Sequence, residues 1–431
     1  MLFHCDDGGR RALPRLAVST QRRIIMNRTR LALSAIVLVC FVSLQLSSAE
    51  PPIKKFLTKD GSRPSGLFAP GVMVGKTVYI AGKGDYRPNE EFPNKVRNCL
   101  AEVEKSLKVA GLDLSHVVAA HCYLEDPENY AKFNEVYAEF FPNRPPSRTT
   151  IGVPNVPGDS RVEITAVAYT DPSEVKQIGA LVPGRPYSSG ILAGNTLYIS
   201  GKGDQLPDGS HPATFEEQVR QAMRNVKSVL DGAGLDFRHV VFSNVYIDNY
   251  DNYGIVNKVY SEFFEYGNEP ARATIFVDWI PGDSHIEITC VATTDLAGRK
   301  VVRPPSMKYG PEERALTASP AVWAGDILYI SGMSGFDPVE GITTVDLDKQ
   351  VRQMAQNDID ILTEAGLRLE DIISGHVYLR NINDYKPFND IYAEFYAKGP
   401  GVRTCLMPNS GYEKNKVRAS GSFIAARTRA Q

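Results

Sequence analysis
Three arginines stand fifteen positions ahead of a matched partner position: Arg148 before Glu163, Arg272 before Glu287, and Arg403 before Arg418. A guanidinium can hold a carboxylate by two parallel hydrogen bonds, fixing orientation as well as charge. A second carboxylate close by can orient or deprotonate a water. The first two pairs offer that chemistry, and the third has lost its acid. Taken alone, an arginine at a strand start is most often exposed or ion-paired, with a strand glutamate as its partner. Its recurrence in three places points instead to ligand binding.

The pairs belong to a repeated frame. PGDSRVEITAVA (157–168) returns as PGDSHIEITCVA (281–292), 124 positions later, and fades to KVRASGSFIAAR (416–427). Upstream, TVYIAGKGD (77–85), TLYISGKGD (196–204) and ILYISGMSG (327–335) align. A helix-period segment follows each; in the middle copy Val219, Ala222, Met223, Val226 and Leu230 share one face. Thr214 with Glu217 reads as a capping box, and Gly232 and Gly234 as the stop. Then come a strand (HVVAAHCYL, HVVFSNVYI, DIISGHVYL), a second helix (KFNEVYAEFF, IVNKVYSEFF, PFNDIYAEFY) and two closing strands that begin near the arginine. Units of roughly 120–130 residues span 51–175, 176–300 and 301–431, large enough to be domains and too few for a solenoid. Both helices should cover one face of a mixed sheet. The opposite face also needs cover, which three equal sheets can give one another. The expectation is an α+β chain whose three units close into a pseudo-threefold ring, a monomer that mimics a homotrimer.

If the strands carrying Arg272 and Glu287 pair as a hairpin about Gly282, Val277 lies opposite Glu287 and Arg272 is roughly 16 Å away. Arginine and glutamate of one copy should then not share a pocket, and each arginine should meet its neighbour's glutamate. At most two Arg–Glu pockets can be complete, because one arginine must face Arg418.

These units resemble the RidA/YjgF family of enamine/imine deaminases, also called the L-PSP endoribonuclease family. PYSSG and YISG in the second copy, the helix asparagines Asn134, Asn257 and Asn389, and the Arg-to-Glu spacing carry the resemblance. It implies chorismate-mutase-like units with ligand sites between them. It also implies hydrolysis of 2-imino acids to 2-keto acids and ammonia, without metal or organic cofactor. Arg148, Arg272 and Arg403 are then the carboxylate binders, and Glu163, Glu287 and Tyr187 the catalytic set. The family tyrosine has no match in the other copies, which place Phe68 and Ala318 there. A non-catalytic carboxylate-binding protein is the alternative reading; a ribonuclease is a weaker one.

The remaining features set bounds. Formal net charge is −2, with no basic block beyond the N-terminal segment, which argues against nucleic acid as a partner. From Met26 a short basic region, an apolar run and small residues ending at Ala49 read as a cleaved export signal rather than a stable membrane span. Residues 1–49 are therefore expected to be removed and the rest exported. Cys99, Cys122, Cys290 and Cys405 form no CxxC pattern and are expected to be buried thiols. Lys83 and Lys202 occupy matching places in GKGD, where the third copy has Met333; they could add positive charge near an anionic ligand. His116 and His121, read as one strand, should point to opposite faces and bind no common metal. His121, Asn244 and His376 share one repeat position and are expected to be hydrogen-bonded structural groups.

Overall fold
The computed structural model describes residues 50–307, 317–408 and 416–429. The export-signal reading of Met26 to Ala49 falls outside them. Pro51–Gln431 forms one compact unit. Its first sheet uses β1 (Lys54–Phe56), β2 (Gly71–Val74), β3 (Thr77–Gly84), β4 (Val117–Leu124), β5 (Ser147–Gly152) and β6 (Val162–Tyr169). The second uses β7 (Val175–Ile178), β8 (Gly190–Ala193), β9 (Thr196–Lys202), β10 (Val240–Ile247), β11 (Ala271–Phe276) and β12 (Ile286–Thr293). The third uses β13 (Arg299–Val302), β14 (Ala321–Ala324), β15 (Ile327–Ile330), β16 (Met333–Ser334), β19 (Ile372–Leu379), β20 (Val402–Leu406) and β21 (Ala419–Ala426), with a small hairpin of β17 (Phe336–Asp337) and β18 (Ile342–Thr343) beside it.

The order β1-β2-β3-β6-β4-β5 recurs in the second sheet as β7-β8-β9-β12-β10-β11. This overturns the hairpin premise. β11 and β12 do not pair; β10 lies between them, parallel to β11 and antiparallel to β12. The segment between β11 and β12 crosses over the end of β10 instead of folding tightly back. In register, Arg272 lies beside Ser243 and Glu287 beside Tyr246.

Two helices cover one face of each sheet: α1 (Phe92–Lys108) and α2 (Tyr130–Phe140), α3 (Phe215–Gly232) and α4 (Tyr253–Ser261), α5 (Leu347–Glu364) and α6 (Tyr385–Tyr396). The apolar face of α3 buries Val219, Met223, Val226 and Leu230 against Leu197, Ile199 and Ile288. Thr214 accepts a hydrogen bond from the Glu217 N–H at 3.3 Å. The box is only half formed, because the Glu217 carboxylate pairs with Arg220 instead. Gly234, at φ 72, ends the helix in a conformation that a Cβ would strain.

The uncovered faces meet one another. Tyr123 and Ile151, Phe242 and Tyr246, and Tyr329 and Tyr378 join one cluster drawn from all three sheets. Val72 and Tyr79 pack against Ile373 and Val402, and Val118 and Ala119 against Ile191 and Tyr198. Each buried aliphatic or aromatic side chain of this kind is worth about 1.5–3 kcal/mol. The three sheets thus supply each other's second core. His121 and His376 meet here with ring centroids 5.6 Å apart. Burial pushes His121 down to about 4 and His376 down to about 3, so both are neutral at physiological pH. Contrary to expectation, His121 Nδ1, Asn244 Oδ1 and His376 Nε2 have no hydrogen-bond partner among the described residues. His116 is not on the strand at all; it ends a 3-10 turn, 3.0 Å from Asp113. All four cysteines of the described residues are buried and free.

Candidate functional site
Each arginine is the second residue of its strand, and each is held in the same way. Arg148, Arg272 and Arg403 donate to the Oδ1 of Asn134 (2.6 Å), Asn257 (2.6 Å) and Asn389 (2.8 Å) on the second helix of their own repeat. Each guanidinium lies over a ring of that helix: Tyr137 at 4.9 Å, Tyr260 at 4.9 Å and Tyr392 at 5.0 Å. An amide oxygen and an aromatic face orient the cation without neutralising it. Nη1 of Arg148 and of Arg272 is buried without a hydrogen-bond partner. Such a donor is costly to leave unmet unless a ligand completes it.

The next repeat supplies the other wall. The Arg148 N–H donates to Ser200 Oγ, and the Arg272 N–H to Ser331 Oγ, both at 2.8 Å. These serines come from YISG, and sequence reasoning had assigned them no such role. Tyr187 of repeat two lies 4.7 Å from the Arg148 guanidinium, and Phe68 of repeat one lies 5.2 Å from that of Arg403. Glu287 is 7 % exposed, and burial pushes its carboxyl up to about 8 against the opposing pull of Arg148, Lys202 and a Thr150 backbone hydrogen bond. Glu163 is also pushed up to about 8 by burial, with Arg403 and Lys83 pulling it down. Thus Arg148 of repeat one stands with Tyr187 and Glu287 of repeat two, and Arg403 of repeat three with Phe68 and Glu163 of repeat one.

Two glycines make room for the acids. A Cβ on Gly201 would lie 1.9 Å from Glu287 Oε1, and one on Gly82 1.8 Å from Glu163 Oε1. The β3–β6 and β9–β12 registers shift at these glycines, a bulge that lets the carboxyl lie flat over the backbone.

The third junction differs, and not as the even spacing of fifteen suggested: the crossover is two residues longer there, so Ser420, and not Arg418, takes the register position of Glu163 and Glu287. A cavity of about 540 Å³ there is lined by Arg272 and Phe276 of repeat two and by Ala318, Met333, Phe336 and Arg418 of repeat three. Arg418 is engaged: its guanidinium donates to both carboxylate oxygens of Asp384, from Nε at 3.1 Å and from Nη2. No group of three or more His, Cys, Asp or Glu among the described residues could hold a metal.

Comparison with known proteins places this arrangement. The family model for endoribonuclease L-PSP matches residues 59–170, 177–294 and 314–407. The chain belongs to the endoribonuclease L-PSP family. A RutC family protein of Saccharolobus solfataricus is 33% identical over 117 residues, 26% of this chain and 93% of its own length. The 2-iminobutanoate/2-iminopropanoate deaminase of Rattus norvegicus is 36% identical over 108 residues, 25% of this chain and 78% of its own. The crystal structure of a chorismatase covers 72% of this chain and 93% of its own at TM-score 0.51 and 13% identity, a likeness of fold alone. This L-PSP chain therefore carries in tandem three units of a size that its relatives carry once.

Proposed function
We propose that the protein hydrolyses reactive 2-imino acids to 2-keto acids and ammonia at the junctions of its repeats. What supports this most is the Arg148 guanidinium, buried with one unmatched N–H, beside an acid that burial holds near 8. The imino acid's carboxylate pairs with Arg148, and Tyr187 stacks beside it. Glu287 orients water: the water oxygen bonds to the imine carbon, and the C=N electron pair passes to nitrogen, which takes a proton. The resulting carbinolamine then passes its hydroxyl proton by way of Glu287 to the nitrogen, the C–N bond breaks as the carbonyl forms, and ammonia leaves. A carboxyl that titrates near the working pH can both take the water's proton and return one to nitrogen. Arg403 with Glu163 offers the same chemistry, with Phe68 in place of the tyrosine. The relatives named as 2-iminobutanoate/2-iminopropanoate deaminases favour the same reaction class.

Arg272 favours a second reading for its own junction. It has the carboxylate-binding cation but Ser420 in place of an acid, which suits binding without hydrolysis. A ribonuclease has less support, since net charge is −2 and no basic block beyond the N-terminal segment clusters the Lys and Arg that RNA needs. Export through the segment ending at Ala49 remains part of the proposal.

The test adds the protein to an amino-acid oxidase reaction that generates 2-imino acids and follows imine disappearance. Acceleration that is lost in Arg148→Ala/Arg403→Ala supports hydrolysis. No acceleration, with small carboxylates still bound in calorimetry, would leave a binding protein. Equal carboxylate affinity in wild type and in the triple variant that also carries Arg272→Ala would sink the arginine sites altogether.

A further inference from the structure
The two junctions that keep an acid also hold a second cation. Lys202 follows Gly201, over which Glu287 lies, and its charge acts on that carboxyl together with Arg148. Its ammonium makes no hydrogen bond and no ion pair among the described residues, although burial pulls it down to about 8 and Arg185 adds further positive potential. Lys83 takes the same place beside Glu163 and Arg403; its one contact is a long 3.5 Å hydrogen bond to the Pro70 carbonyl. At the third junction the matching residue is Met333, which lines the cavity with Arg272.

Both lysines are half-buried, Lys202 with no hydrogen bond among the described residues and Lys83 with that single long one, so an anionic group brought beside them gains a charge-assisted contact without displacing a partner. Glu287 does not neutralise the pair, because burial favours its protonated form. A monocarboxylate would satisfy Arg148 and leave Lys202 unmatched. A ligand with a second anionic group a few bonds away would satisfy both. The third junction shows the converse: Arg418 is neutralised by Asp384, the lysine is replaced by methionine, and Phe276 and Phe336 face the cavity.

We infer that Lys202 and Lys83 set substrate class, making the first and third arginines' sites selective for 2-imino acids that carry a second carboxylate. The inference rests on the deaminase reading above and names its substrate. Arg148 takes the carboxylate beside the imine, and Lys202 takes the distal one.

The experiment compares 2-iminoglutarate, made in place by L-glutamate oxidase, with the monocarboxylate imine of leucine, made by L-amino-acid oxidase. Wild type, Lys83→Met/Lys202→Met and Lys83→Arg/Lys202→Arg are assayed for kcat/KM on each. Methionine is the third repeat's own residue at this position, so the fold already accommodates it. Wild type is expected to favour the dicarboxylate by about ten-fold or more, the methionine variant to lose that ratio, and the arginine variant to keep it. A wild type with no preference, or a ratio unchanged by methionine, overturns the inference. If no imine is hydrolysed faster, glutarate and butyrate are titrated by calorimetry instead. Glutarate preference that disappears in the methionine variant then upholds the dicarboxylate site while the deaminase reading falls; equal affinities overturn both.

Discussion

At the scale of the residue, the acids are set apart by desolvation. Glu163 and Glu287 reach about 8 because burial penalises their charged forms more than Arg403, Lys83, Arg148 and Lys202 favour them. Between about 4.5 and 8 the folded protein holds protons that the unfolded chain releases. These carboxyls therefore favour folding at low pH, and that contribution is lost as pH rises through 8. Imine hydrolysis should climb with pH as Glu287 ionises, Arg148 and Tyr187 facing it, and for a dicarboxylate imine should fall again above about 8 as Lys202 loses its charge. Glu163→Gln/Glu287→Gln should flatten that profile and gain thermal stability relative to wild type at pH 9 more than at pH 5. A pH–rate profile and paired melting curves check both, and an unchanged profile would remove the glutamates from the reaction. Gly201 is an equally sharp test. Gly201→Ala must displace the Glu287 carboxyl, since its Cβ would fall 1.9 Å from Oε1. With Gly82→Ala beside it, kcat should fall at least ten-fold while carboxylate affinity at Arg272 stays as it was.

At the scale of the element, strand register decides which residue replaced the third acid. Register puts Ser420 opposite Tyr378, where Glu163 stands opposite Tyr123 and Glu287 opposite Tyr246; Arg418 comes just before its strand, as Arg161 and His285 do, and is paired with Asp384. Asp384 is buried, 5 % exposed, and the cap of α6 now holds the charge that balances Arg418. Arg418→Glu alone would therefore set two carboxylates against each other, costing stability by leaving a buried charge unpaired, on the order of 3–5 kcal/mol. Arg418→Glu with Asp384→Asn removes that repulsion, whereas Ser420→Glu is the change that returns an acid to the register of Glu163 and Glu287. The double variant should melt higher than the single one, and Ser420→Glu should place an acid in the cavity of Arg272. A double variant no more stable than the single would show that the two positions are not coupled.

At the scale of the whole molecule, three sheets bury a common core that no single repeat can complete. Tyr123, Tyr246 and Tyr378, one per repeat, share a single buried cluster. The protein is expected to run as one chain in sedimentation equilibrium, since its own repeats already occupy the faces that separate subunits would use. Deleting residues 301–431 would bare Val72 and Tyr79 on one flank and Phe242 and Ile275 on the other. That truncation should aggregate or associate, and a stable monomer from it would contradict the shared core.

The sequence by itself determined the repeat, the element order within each unit and the identity of the arginines, because a period of 2 or 3.6 and a recurring charged residue are written locally. It also showed that the third acid is missing, but even spacing pointed to Arg418, whereas register puts Ser420 in its place. It could not show that β10 stands between the strands of Arg272 and Glu287, so a hairpin looked natural; strand order is fixed by packing and not by adjacency. Nor could it orient the ring: that Arg148 meets Glu287, and Arg403 meets Glu163, depends on which edges the three sheets bring together. The serine anchors Ser200 and Ser331, the hold of Asn134, Asn257 and Asn389 on the arginines, and the place of Lys202 beside Glu287 are likewise tertiary facts. Each arises where side chains from two repeats leave water together, and desolvation acts on neighbours in space rather than on neighbours in the chain.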